Sequence, residues 1–139
     1  MAQEAGYSGT PIAKKLGIKP GTALGLDLEP TGWGVPGLPD DVAVAASPAP
    51  ADVLIAFFRT AAELPERLPA LAQRIFPAGS LWVAWPRRAG GHQSDITENL
   101  LREHALPLGI VDTKVAAIDN DWSGLKFMWR RENRSAPSA

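Results

Sequence analysis

The sequence predicts a three-layer α/β sandwich built on one mostly parallel sheet that ends in an antiparallel hairpin. Three observations predict it. Apolar runs of strand length alternate with segments of helical period in the order strand, strand, strand, helix, strand, helix, strand, strand. The run Asp52-Val53-Leu54-Ile55-Ala56-Phe57-Phe58 is almost continuously apolar, as in a strand covered on both faces. The chain has 139 residues, 45% of them hydrophobic and 21% charged, which suits one packed domain and is too short for two full-sized ones.

Taken in order, Tyr7 to Gly17 reads as a short helix. Thr10 is the expected N-cap, Pro11 the first helical residue, Gly17 the left-handed cap, and Ile12 with Leu16 the apolar stripe. Thr22 to Leu28 is the first strand, weakened by Gly25. Pro30 to Pro39 is a Gly- and Pro-rich loop around Trp33. Val42 to Ala46 is the second strand, and the apolar run at 52–58 the third. Leu64, Leu68, Leu71, Ala72 and Ile75 recur at helical spacing, so residues 62–76 form an amphipathic helix. Pro65 fits its first turn, while Pro69 removes a backbone bond and predicts a bent or 3₁₀-like beginning. Leu81 to Trp85 is the fourth strand, and its parity places Trp82 and Trp85 on opposite faces.

Arg87 to Ser94 is then a loop. Asp95 with Glu98 suggests a capping box for a helix that buries Ile96, Leu100 and Leu101 and ends at Leu106-Pro107-Leu108-Gly109. Ile110 to Ile118 is the fifth strand, Asn120-Asp121 begins a turn, and Leu125 to Arg130 alternates as a final antiparallel strand. The domain boundaries that follow are a flexible N-terminus at 1–6, a single α/β domain at 7–132 and a disordered tail at 133–139.

Composition excludes several classes. Fourteen Lys plus Arg stand against fifteen Asp plus Glu, a net charge of −1, and the sequence pI is about 6.1. Nucleic acid is therefore not the expected partner, because binding it normally requires a basic excess. Cysteine is absent, which removes disulfides, thiolate metal sites and a cysteine nucleophile. His92 and His104 are the only histidines, so no transition-metal site is expected, and no cofactor is expected either. Met1 to Ala5 has neither the basic nor the apolar region of a secretory signal. The apolar runs fall well short of the roughly 20 residues that span a bilayer. A cytoplasmic protein without membrane attachment is the expectation.

The closing order of helix, strand, short turn, strand resembles the end of a class I methyltransferase-like Rossmann sheet. The Gly-rich loop that normally follows the first strand of such a sheet is missing. Here Glu29-Pro30-Thr31-Gly32-Trp33-Gly34 encloses a Trp in its single G-x-G and leads into Pro-rich loop, so the reading is a truncated methyltransferase-like topology without a working nucleoside site. The motifs Tyr7-Ser8-Gly9-Thr10-Pro11, Leu81-Trp82-Val83-Ala84-Trp85-Pro86, Asp95-Ile96-Thr97-Glu98, Val111-Asp112-Thr113-Lys114-Val115 and Trp122-Ser123-Gly124-Leu125-Lys126-Phe127 resemble, in that order, an uncharacterised bacterial family, the domain of unknown function 3052. The resemblance runs from about Tyr7 to Arg134. It implies a shared architecture and no established activity.

Ligands of open α/β sheets bind outside the carboxyl ends of the strands. The candidate ligand-binding residues are therefore Asp27, Glu29, Trp33, Arg87, Arg88 and His92. Two guanidiniums and a helix N-terminus attract phosphate or carboxylate, although Asp95, as the cap, would oppose an anion; a solvated basic loop is the plainer reading. A second candidate surface is the terminal hairpin, with Asp112, Lys114, Trp122, Ser123 and Lys126. There Asp112 and the lysines are expected to share a face and pair across the strands, and Ser123 to serve the turn. No nucleophile, base and orienting group come together in the sequence. The expected function is a non-catalytic Rossmann-like module binding a partner protein or a small anionic ligand. The alternative is a small methyltransferase-like transfer enzyme using Asp27, Glu29, Arg87 and His92.

Overall fold

The computed structural model describes residues 11–134. In chain order the elements are α1 (Ile12–Lys15), β1 (Ala23–Asp27), β2 (Ala43–Val44), β3 (Val53–Phe57), α2 (Glu63–Arg74), β4 (Ser80–Pro86), α3 (Glu98–Ala105), β5 (Ile110–Ala117), β6 (Trp122–Trp129) and α4 (Arg131–Arg134), with 3₁₀ turns at Arg88–Gly90 and Leu106–Leu108. The six strands form one sheet in the order β2-β1-β3-β4-β6-β5. β1 to β4 are parallel, and β6 runs antiparallel to both β4 and β5. This is the expected α/β architecture, a mostly parallel six-stranded sheet that ends in antiparallel strands. The strand order reverses between β1 and β3, so the topological switch point lies there.

Strand parity divides the core in two. Leu54, Ala56, Leu81, Val83, Trp85, Leu125, Phe127 and Trp129 face α2 and α3, whose Leu64, Leu68, Leu71 and Leu101 cover them. Leu24, Val53, Ile55, Phe57, Trp82 and Ala84 face the other way, under Ala13 and Leu16 of the α1 segment and under Trp33, Val35 and Val42 of the β1–β2 connection. Trp82 and Trp85 thus sit on opposite faces as parity requires. Every residue of β3 is buried, which explains its unbroken apolar run. Gly25 also finds its reason here: a Cβ would lie 2.8 Å from Leu54 Cδ1 and 3.1 Å from Arg74 Nη2.

The start of α2 is 3₁₀-like, as its prolines predict. Glu63 N–H donates to Thr60 O at 3.2 Å and Leu64 N–H to Ala61 O at 3.1 Å. The helix nevertheless continues through Pro69 to Arg74, held by the apolar stripe beneath it.

Several boundaries differ from expectation. Pro11 is the N-cap of α1, with extended backbone at ψ 147°, rather than its first helical residue; Tyr7 to Thr10 lie outside the described residues. Gly17, at φ +83°, ends the helix as expected. Thr97, not Asp95, caps α3: its Oγ1 accepts from Leu100 N–H at 3.1 Å. Asp95 serves the other helix instead, accepting from Ala61 N–H at 2.8 Å just before α2. A local motif cannot anticipate a carboxylate that turns to a neighbour 34 positions away. Thr97→Ala is therefore expected to cost about 1 kcal/mol in denaturant unfolding and to speed amide exchange at Leu100, whereas Asp95→Ala leaves the exchange of Leu100 unchanged.

β6 begins at Trp122, three residues before its alternation becomes visible, because Trp122 and Ser123 pair with Pro86 and Trp85. Asn133 and Arg134, assigned to the tail, are bound to the domain: Asn133 Nδ2 donates to Gly109 O at 3.2 Å and Arg134 Nε to Trp129 O at 2.9 Å. Residues 1–6 and 135–139 lie outside the described residues. No described helix is long and apolar enough to cross a membrane.

Candidate functional site

The switch point between β1 and β3 is where a doubly wound sheet opens its ligand crevice. Here it is bridged by side chains. Arg67, on the exposed-to-core boundary of α2, pairs through Nη2 with Asp27 Oδ2 at the end of β1. Its Nη1 donates to Phe57 O at 2.7 Å and to Glu63 Oε1 at 2.7 Å, and its guanidinium lies 4.0 Å over the Phe58 ring. Glu63 Oε2 in turn accepts from the N–H groups of Arg59 and Thr60 at 3.0 and 2.9 Å and from the Thr60 hydroxyl at 3.1 Å. Burial pushes the Glu63 carboxyl upward, but the hydrogen bonds from Thr60, Arg59 and Arg67 outweigh it and hold the group below the ordinary carboxylate value. Arg59 Nη1 completes the bridge by donating to Leu28 O at 2.9 Å.

Leu28 itself is left-handed at φ +53° and exposed. A conformation that glycine adopts freely is held here by a residue with a bulky side chain, at the position where a nucleotide-binding loop would present bare backbone.

The other side of the crevice is filled by aromatic rings. Trp33 meets Phe57 edge-on at 4.8 Å, and Phe57 meets Trp122 edge-on at 4.9 Å. Arg59 lies 5.4 Å from the Trp122 ring centre. Trp33 Nε1 donates to Asp119 Oδ2 at 3.0 Å. The other oxygen of Asp119 accepts from the N–H groups of Asp121 and Trp122 at 2.8 and 2.9 Å, so one carboxylate both shapes the β5–β6 turn and fixes the loop after β1.

The loop after β4 leans on that same turn. Arg87 N–H donates to Asp121 O at 2.8 Å, and His92 Nε2 lies 3.0 Å from Asp121 Oδ1. A Cβ on Gly90 would fall 2.2 Å from Asn120 O, so only glycine permits this approach. Beyond it, Arg88, Gly91, His92, Gln93 and Ser94 line a depression of about 540 Å³. Arg88 is fully outside the packed core, with no ion pair among the described residues.

The sequence-predicted residues therefore separate. Asp27 and Trp33 belong to the bridged crevice, Arg88 and His92 to the open depression, and Arg87 to the contact between loop and turn. Glu29 is exposed, and no hydrogen bond or ion pair joins Asp27 or Glu29 to Arg87 or His92. With the cap moved to Thr97, Asp95 no longer blocks the depression as the sequence suggested.

The hairpin departs further. β5 carries a bulge between Asp112 and Lys114, which turns them to opposite faces. Asp112 pairs with Arg102 Nε of α3 at 3.0 Å, not with a lysine. Lys114 stands directly opposite Lys126. Ser123 is a strand residue opposite Trp85 and Ala117, not part of the turn, and Trp122 is engaged with Phe57.

Arg59, Glu63 and Arg67 were not singled out in the sequence. The i, i+4 spacing of Glu63 and Arg67 was visible as a helix pair; their reach to β1 depends on how α2 lies on the sheet. No group of three or more metal-ligating side chains occurs among the described residues.

No family model matches the chain, and no curated protein matches it. Among solved structures it is similar to one described as a pericyclic reaction enzyme and to LepI in complex with SAM. Each comparison gives 15% identity and a TM-score of 0.46, covering 86% of this chain and 39% of the other. The chain thus spans about two-fifths of the length of the solved chains it resembles.

Proposed function

We propose that the protein is a non-catalytic Rossmann-like module that binds a small anionic ligand or a partner protein on the loop surface at the carboxyl ends of its strands. The observation that carries this reading is the state of the switch point. The Arg67–Asp27 pair, the Arg59–Leu28 bond and the Trp33–Phe57–Trp122 stack occupy the place a nucleoside needs, whereas Arg88 and His92 border an open depression beside it. The Arg88 guanidinium suits a carboxylate or phosphate there. A bacterial, cytoplasmic setting and kinship with the domain of unknown function 3052 belong to the same reading.

One observation favours the alternative of a small transfer enzyme: the strand order is that of a methyltransferase-like sheet, with Asp27 at the end of its first strand. Titration calorimetry with S-adenosylmethionine separates the two. The module reading predicts no saturable heat. Saturable binding that disappears on replacing Asp27 with Asn would establish the enzyme reading instead.

A further inference from the structure

At the opposite end of the sheet, the amino ends of β1, β3 and β4 enclose a second depression of about 430 Å³, lined among others by Lys19, Gly21, Thr22, Asp52, Ser80 and Lys126. Its chemistry is unbalanced. Lys126 sits mid-strand in β6, half-buried, directly across from Lys114; neither forms a salt bridge among the described residues, and Lys114 Nζ donates to Lys15 O at 3.4 Å. Like charges facing each other across strands are destabilising.

The hydroxyl walls point the same way. Ser80 is only 9% exposed, and its side chain has no hydrogen-bond partner in the described structure. Thr22, also buried, accepts from Lys19 N–H at 2.9 Å, which leaves its own proton free to donate. The one carboxylate on the wall, Asp52, is turned to the sheet by Ala23 N–H, which donates to its Oδ2 at 2.9 Å.

We propose that this depression is a binding site for the phosphate group of a small phosphorylated molecule, held by the ammonium groups of Lys19 and Lys126 and the hydroxyls of Ser80 and Thr22, with Lys114 adding to the field. An anion with several acceptor oxygens suits this lining: it offsets the charge of the facing lysines and accepts hydrogen bonds from the two hydroxyls. Burial, then Lys114 and Lys19, lower the Lys126 ammonium below the ordinary lysine range, as expected for a cation awaiting a counter-charge. The site lies at the far end of the strands from the Arg88–His92 depression, and its existence does not depend on the function proposed above.

The test is titration of the protein with inorganic pyrophosphate at constant ionic strength, followed by backbone amide shifts, with sodium chloride as the control. Saturable binding that moves the amides of Lys19, Gly21, Thr22 and Ser80 is expected. Lys126→Gln and Ser80→Ala should each weaken binding at least tenfold. Lys126→Gln should also melt no lower than the parent without pyrophosphate, since it relieves the Lys114–Lys126 repulsion; that readout separates loss of a ligand contact from loss of the fold. The double variant Arg87→Ala/Arg88→Ala should bind at this site as the parent does. Shifts confined to residues 87–94, a response no larger than that to chloride, undiminished binding by Lys126→Gln, or a response to an oligonucleotide but not to pyrophosphate would each overturn the proposal.

Discussion

Trp82→Ala is expected to lower the free energy of unfolding by about 3–5 kcal/mol, a large share of the ~5–15 kcal/mol by which a domain of this kind is stable. Trp82 is fully buried in β4 and belongs to the core face covered by the α1 segment. It does more than fill volume. Its Nε1 donates to Leu16 O at 3.1 Å, so the indole secures the end of α1 to the sheet. A Cβ on Gly124 would lie only 3.0 Å from the Trp82 ring, which shows how closely β6 fits around it. Truncation leaves a cavity too well framed to collapse and a carbonyl without its donor. Guanidinium unfolding measures the loss. Trp82→Phe serves as the comparison, retaining most of the volume and losing the hydrogen bond, with a smaller cost of about 1–2 kcal/mol. A loss near zero for Trp82→Ala would mean that this face is not packed as described.

The second large effect is expected at Arg67. Its side chain and that of Asp27 are 16% and 21% exposed, so Arg67→Ala strands a largely buried carboxylate and removes the donors to Phe57 O and Glu63. The expected loss is about 2–3 kcal/mol, below the 3–5 kcal/mol of a fully buried pair. A double-mutant cycle with Asp27→Asn should recover a coupling of about 1 kcal/mol or more. Hydrogen exchange supplies the local readout: amides of Arg59 and Thr60, which Glu63 holds, should lose protection in Arg67→Ala before the central strands do. If exchange at those amides is unchanged, the bridge across the switch point is not what closes it.

Much of the architecture was legible because it rests on periodicity. The apolar run of β3, the stripe of α2 and the parity of Trp82 and Trp85 are properties of neighbouring residues, and burial rewards them in any context. Gly17 and Gly109 were legible as helix ends because their left-handed backbone suits glycine. The candidate site was less legible. Trp33, a candidate ligand-binding residue by its place in the loop after β1, packs on Phe57 instead, and its partner Asp119 lies 86 positions away, where nothing local selects it. Asp95 carried a sound capping signal and was claimed by Ala61 instead. Arg59 and Arg67 close the crevice only through the way α2 lies on the sheet, which no local pattern states. The lysines of the hairpin were visible, but the bulge that sets Lys114 against Lys126 is a matter of register, which no single strand's pattern reveals.

That bulge has a further consequence for the outer rim of the sheet. β5 is an edge strand eight residues long, and an uninterrupted edge of that length offers a template on which another chain can add itself. The bulge after Asp112 divides it into two short stretches that bend away from each other, and Lys114 marks the break with a charge. Neither stretch is long enough to nucleate stable addition, so the same irregularity that sorts the charges also guards this edge of the sheet against aggregation.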